Sequence, residues 1–189
     1  MARDICPRYF SRLADAVAVL RDNELLHLFS EETSLSGARC FIVSDRSSMW
    51  SSIMNTRQEN RCFYEVITEH FTSRLYLDVE MINTDRCFNM SVVLPHIIHE
   101  VNAHFGASSV IVLDSSNPSK ESYHLIWPEI VRDSNTHFRS FVNTLSALDI
   151  CQHVLPNGEK NSIVDVIPYS IRQNFRMFNC CKKSKPFPF

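Results

Sequence analysis

The chain has 189 residues, a formal net charge of −2, and 44% hydrophobic and 21% charged residues. That composition belongs to an ordinary globular chain, long enough for one domain with a real core or for two small lobes sharing one. It excludes a wholly basic nucleic-acid binder; no apolar run reaches the roughly 18 residues of a membrane helix, and MARDICPRYF lacks the basic-then-apolar order of a signal peptide.

In chain order, Phe10, Leu13, Val17 and Leu20 recur at helical spacing, which predicts an amphipathic helix over 8–22. RCFIVS (39–44) reads as a short strand, and SSMWSSIM as a helical turn around Trp50. CFYEVIT (62–68) and RLYLDVEM (74–81) read as consecutive strands. Val92, Ile97, Ile98, Val101 and Phe105 predict a helix stopped by Gly106. Pro95 places its start near 93–95, or a kink there. SVIVLDSS (109–116) and ESYHLIW (121–127) read as strands, and Phe138, Phe141, Val142, Leu145 and Leu148 as another helical stripe. NSIVDVI (161–167) and NFRMF (174–178) read as a final pair of strands around Pro168. The elements mix without a strict βαβ rhythm, so the expected class is α+β.

Asp78 and Glu80 raise the central question, because they interrupt an otherwise apolar strand, and burying charge is costly unless it is paired or binds a metal. Strand side chains alternate faces. Leu75, Leu77, Val79 and Met81 then make core, while Tyr76, Asp78 and Glu80 share the other face. In 121–127, Ser122, His124 and Ile126 oppose Tyr123, Leu125 and Trp127. In 163–167, Asp165 stands with Ile163 and Ile167, opposite Val164 and Val166. Three carboxylates on neighbouring strands make a hard-oxygen site suited to Mg²⁺ or Mn²⁺. Two such ions, about 4 Å apart, can serve phosphoryl transfer. Ser122 and His124 can both donate to phosphate oxygens.

Each piece alone is ambiguous. A D-x-E pair also suits a nuclease or a glycosidase, or arises by chance. A lone His124 suits a hydrogen-bonded core, and a lone Asp165 suits a cap or turn. A nuclease commonly places lysine two residues after the second acid, where this chain has Ile82. A glycosidase leaves Ser122, His124 and the basic C-terminal run unexplained. That run, Arg172 to Lys185, holds Arg172, Arg176, Lys182, Lys183 and Lys185 with no acid, and attracts phosphate or serves as a solvated tail. The glycines stand only at 37, 106 and 158, so neither common glycine-rich phosphate loop is present.

Taken in order, three segments carry a resemblance. RCFYEVITEHFTSRLYLDVEM (61–81), VLDSSNPSKESYHLIWP (112–128) and IVDVIPYSIRQNFRMFNCCK (163–182) resemble the three motifs of the archaeo-eukaryotic primase superfamily, in detail its eukaryotic primase-polymerase family. SGARCFIV (36–43) is a fainter match before them. The resemblance implies an α+β catalytic core, residues 1–182, with a recognition-motif-like mixed or antiparallel sheet and an N-terminal αβ lobe. It implies Asp78, Glu80 and Asp165 as catalytic ligands of two Mg²⁺ or Mn²⁺ ions. It places Lys120, Ser122, His124, Arg176 and Lys182 on the nucleotide and Arg39 near template and nucleotide. The implied activity is template-directed synthesis from (deoxy)nucleoside triphosphates on single-stranded DNA, by a monomer in the nucleus or mitochondrion. A single-strand-binding protein is a further partner it suggests, and no membrane is.

Two departures stand out. The family motif usually reads R-N-F-R, and here its first position is Gln173. Family members also continue past the motif lysine, commonly into a Cys/His zinc module. Residues 183–189 read instead as a flexible tail, no zinc is expected, and the chain is expected to be a fragment, a short paralogue or a minimal version. A defective relative that binds nucleic acid or a partner without synthesis is the alternative. The cysteines at 6, 40, 62, 87, 151, 180 and 181 include no CxxC pair, which favours reduced thiols over a disulfide framework or structural zinc.

Overall fold

A computed structural model describes residues 6–20, 23, 25–68, 71–82, 89–154 and 158–183. In chain order it holds β1 (Arg8–Phe10), α1 (Leu13–Leu20), β2 (His27–Glu32), β3 (Arg39–Ser44), α2 (Arg46–Asn55), β4 (Phe63–Ile67) and β5 (Ser73–Ile82). There follow α3 (Met90–Phe105), β6 (Ile111–Asp114), β7 (Lys120–Arg132), α4 (Arg139–Ser146), β8 (Gln152–Val154), β9 (Lys160–Ser162), β10 (Val164–Asp165) and β11 (Gln173–Arg176). Mixed helices and antiparallel sheets make this the expected α+β class. The chain divides into two compact units, residues 1–67 with 174–189, and residues 68–173.

The first unit is built on a five-stranded sheet in the order β1-β3-β2-β4-β11. Alternation along its strands sends apolar side chains to both faces. Leu28, Val43 and Val66 meet Ala16 and Leu20 of α1. Phe29, Ile42 and Phe63 meet Met49 and Ile53 of α2. Asp45 caps α2 by accepting from the Ser48 N–H at 2.9 Å, which satisfies one of the helix's orphan donors. Two differences from the sequence reading lie here. The predicted helix over 8–22 is shorter, because Arg8, Tyr9 and Phe10 pair with Val43, Ile42 and Phe41 as an edge strand. Phe10 still packs against the α1 core cluster, which is why it fitted a helical stripe. Strand β2 was not anticipated.

In the second unit, a four-stranded antiparallel sheet runs β10-β5-β7-β6. Leu75, Leu77, Val79 and Met81 of β5 and Leu125 and Trp127 of β7 supply its core face. Val93, Ile97 and Val101 of α3 and Val142 and Leu145 of α4 cover it. The pairing of β5 with β7 shifts register between Arg74 and Leu75. Pro128 lies in β7 at that break; it has no N–H for a ladder, and its carbonyl accepts from Arg74 Nε at 3.2 Å.

Helix α3 begins earlier than Pro95 suggested. Asn89 caps it by accepting from the Ser91 N–H at 3.0 Å, and Pro95 lies within it. The helix therefore runs through the proline and leaves one turn without its usual hydrogen bond. Gly106 ends it at φ 68°, a left-handed conformation that suits glycine.

The C-terminal strands also differ from expectation. Segments 161–167 and 174–178 do not form a pair: β10 joins β5, while β11 joins β4 in the other sheet. Strict alternation over 163–167 fails as well. Ile163 and Val164 are both in the core, and Val166 turns into helical backbone at φ −93°, ψ −12°. Lys183, expected to open the tail, donates its backbone N–H to Glu32 Oε2 at 2.9 Å. Residues 184–189, with the other part of that tail, lie outside the described residues, as does Cys87.

The thiols give a direct check on this packing. Cys62, Cys151, Cys180 and Cys181 are buried, whereas Cys6 is exposed. Burial pushes Cys62 up to about 12, and Cys151 and Cys180 up to about 11. The reactive species is the thiolate, so these three stay protonated at pH 8. Iodoacetamide at pH 8 is expected to label Cys6 in the folded protein and Cys62, Cys151 and Cys180 only after denaturation. Peptide mass spectrometry reads this; equal labelling rates in the folded state would contradict the packing.

Candidate active site

The register of β5 determines which polar groups meet. Asp78 lies directly opposite His124 of β7, and Glu80 directly opposite Ser122. On its other side, Asp78 lies directly opposite Asp165 of β10. One rung across the sheet therefore reads Asp165, Asp78, His124, Leu113. D-x-E and S-x-H are thus in step, each acid facing one member of the pair. The structure brings Asp78, Glu80, Asp165, Lys120, Ser122 and His124 onto one face of one sheet, opposite the α3–α4 core.

The residues on this face are held from below and from the side. His124 and Ser122 are nearly inaccessible, at 3% and 4% exposure. His124 Nε2 stands 3.9 Å from Asp78 Oδ2, electrostatic range rather than a hydrogen bond. The Ser122 N–H donates to Ser116 Oγ at 3.1 Å, tying the strand to the preceding turn. Lys120 Nζ makes an ion pair with Glu80 Oε2. Asp165 Oδ1 accepts from the Ile167 N–H at 2.9 Å.

Below Asp165, the chain is pinned by groups that sequence reasoning did not single out. Tyr76 Oη donates to the Pro168 carbonyl at 2.8 Å, and Asn135 Nδ2 donates to the carbonyls of Pro168 and Ser170. The Tyr76 and Tyr169 rings stack at 5.4 Å. Burial, together with neighbouring Tyr76, Asp78 and Asp165, holds the Tyr169 phenol well above its ordinary range. Tyr76 was legible only as a residue on the acid face. Asn135 carried no sequence signal, since its role depends on where the loop after β10 passes.

Two aspartates directly across adjacent strands share a face, with Cβ atoms about 4.5–5.5 Å apart, and like charges so placed are destabilising. A divalent cation relieves that repulsion. The donors are hard oxygens, the chemistry Mg²⁺ and Mn²⁺ prefer. In donor chemistry, these carboxylates suit such ions. Among the described residues no group of three His, Cys, Asp or Glu is poised to hold a metal. At this face Glu80 is paired with the Lys120 ammonium, and Asp165 Oδ1 is engaged by the Ile167 N–H.

The remaining expected residues belong to the first unit. Arg39, on β3, lies opposite Glu32 of β2, and its guanidinium stacks over the Tyr64 ring, 4.1 Å from Cζ to centroid. Tyr64 Oη donates to Glu32 Oε2 at 3.0 Å. Burial raises the Tyr64 phenol to about 12, with Arg176 lowering it and Glu32 raising it. Tyr64 is buried, and its ring seats Arg39 while its hydroxyl is bonded to Glu32. Arg176 is half-buried at the end of β11, and Lys182 is exposed. Asn174 beside them accepts from Ser30 Oγ at 2.7 Å. Gln173, at the place of the usual arginine, donates back to Ser170 Oγ at 2.5 Å.

An α+β core that carries D-x-E, S-x-H and a third acid on one sheet face has the arrangement expected of a primase-type core. Residues 32–188 match the family model described as "C962R protein N-terminal AEP domain". The chain belongs to the archaeo-eukaryotic primase (AEP) superfamily. It is 29% identical over 169 residues to a DNA-directed primase/polymerase protein of Danio rerio, covering 82% of this chain and 31% of that one. A protein of the same description from Bos taurus is 25% identical over 166 residues, covering 82% and 29%. Another from Homo sapiens is 27% identical over 158 residues, covering 76% and 28%. The chain thus spans less than a third of the length of these relatives.

Proposed function

We propose that this chain is a DNA-directed primase-polymerase core that transfers nucleotides from (deoxy)nucleoside triphosphates onto a primer or initiating nucleotide. The observation that carries it is the single rung Asp165–Asp78–His124, with Glu80 opposite Ser122 one step along. No core-packing requirement asks for two aspartates side by side, and a phosphoryl-transfer site does.

In this reading Asp78, Glu80 and Asp165 hold two Mg²⁺ or Mn²⁺ ions. Such ions, when bound, activate the attacking hydroxyl and stabilise the leaving oxygens. Ser122 Oγ and the His124 ring donate hydrogen bonds to phosphate oxygens. Lys120 adds a positive charge on the same face. Arg176 and Lys182 are assigned to phosphate contact, and Arg39, stacked on Tyr64, to the template and nucleotide. The template is single-stranded DNA.

Primer extension beside de novo dinucleotide synthesis tests this. Extension is expected with Mg²⁺ or Mn²⁺ and is expected to cease in EDTA. Template binding without extension under either metal would instead support a binding protein that has lost synthesis.

A further inference from the structure

We propose that Lys120 is a built-in counter-cation of Glu80, which a divalent ion must displace, so that this lysine lowers metal affinity until it is drawn away. The inference rests on the metal-site reading of Asp78, Glu80 and Asp165, and adds a role for Lys120 on the metal side of the site.

The geometry carries it. Lys120 lies opposite Ile82, and Glu80 lies opposite Ser122. Lys120 and Glu80 are therefore diagonal neighbours on one sheet face, within reach for long side chains. Their ion pair is made. The lysine is 22% exposed in its side chain and the glutamate 43%, so the ammonium is held partly out of water beside the more open acid. A second feature points the same way. Lys120 begins β7 at a tight turn, where its N–H donates to the Asn117 carbonyl and its carbonyl accepts from the Asn117 N–H. Its backbone is thus anchored beside Glu80, while the four-carbon stem leaves the ammonium free to swing.

The consequence follows from charge alone. A divalent ion at Glu80 must compete with an ammonium for the same carboxylate, and it meets that ammonium's repulsion while the lysine stays. A phosphate group on this face attracts the ammonium away. Anion and metal binding therefore favour one another through Lys120, and the coupling is reciprocal. Glu80 is the member of the site on which this exchange acts, because it is the acid that Lys120 pairs with.

Mn²⁺ binding without nucleotide, followed by electron paramagnetic resonance, separates the possibilities. Lys120→Met keeps the stem and removes the charge, and is expected to bind Mn²⁺ roughly three- to tenfold more tightly than the unaltered chain. Lys120→Arg keeps a cation and is expected to bind as weakly as the unaltered chain. Asp78→Asn is expected to abolish the binding. Tightening in Lys120→Met but not in Lys120→Arg supports the inference. If Asp78→Asn abolishes binding and Lys120→Met does not tighten it, the inference fails and the metal-site reading stands. If no Mn²⁺ binding depends on Asp78, the metal-site reading fails, and the inference fails with it. Circular dichroism melts of each variant confirm that the binding is read on folded protein.

Discussion

Asp78→Ala is expected to lower nucleotide incorporation by about a thousandfold or more, the several kcal/mol that a displaced metal withdraws from the transition state. Asp78 is the shared member of both cross-strand contacts, Asp165 on one side and His124 on the other. Its loss therefore affects more of the site than loss of Glu80. Template binding is expected to stay within about twofold, because phosphate affinity resides in basic side chains. Asp78→Asn gives a sharper version. It keeps the shape, removes one of two facing charges, and is expected to leave the metal-free melting temperature unchanged or higher. A site residue that stabilises the fold when neutralised is one retained for chemistry rather than packing. Incorporation by Asp78→Asn within tenfold of the unaltered chain would sink the metal assignment.

The largest stability effect is expected at Trp127. Its ring is fully buried in the core under β5 and β7, and its Nε1–H donates to Asn102 Oδ1 of α3 at 2.8 Å. Trp127→Ala removes that ring and leaves a cavity, at a cost of about 3–5 kcal/mol. It also leaves Asn102 without this donor. Trp127→Phe retains most of the packing and is expected to cost less than Trp127→Ala. Urea denaturation reads both: a fall in midpoint for Trp127→Ala matched by an equal fall for Trp127→Phe would place the energy in the hydrogen bond rather than the ring. The effect reaches the site through β7, since Trp127 lies on the strand that carries Ser122 and His124.

Much of this unit was legible because its central strands obey alternation. Leu75, Leu77, Val79 and Met81 went to the core, and Asp78 and Glu80 to the other face, as period two requires. Strand β10 broke the rule because it is two residues long and is followed by a helical turn at Val166. Edge strand β1 was hidden for another reason. Its partner β3 lies more than 30 positions away in sequence, so no local pattern marked it. Alternation also says which residues share a face but not which residue faces which. The opposition of Asp78 to both Asp165 and His124 depends on two separate pairings, and only the structure supplies them. The diagonal contact of Lys120 with Glu80 belongs to the same class. Arg39 was assigned by resemblance; its stacking on Tyr64 and the tie from Tyr64 to Glu32 are tertiary facts.

The first unit is discontinuous, and this shapes how the chain can be made. Strand β4 gains β11 as a neighbour only after the whole of residues 68–173 has been synthesised. A ribosome delivering the chain from its N-terminus therefore holds β4 as an open sheet edge while the second unit emerges. An unpaired edge is a template for wrong pairing. The second unit is contiguous in sequence and has its own core, so it can fold during that wait. The Cys181 N–H donates to the Arg61 carbonyl and the Met177 N–H to that of Phe63, bonds that close the sheet last. Nascent chains halted before Asn174 are thus expected to expose the β4 edge.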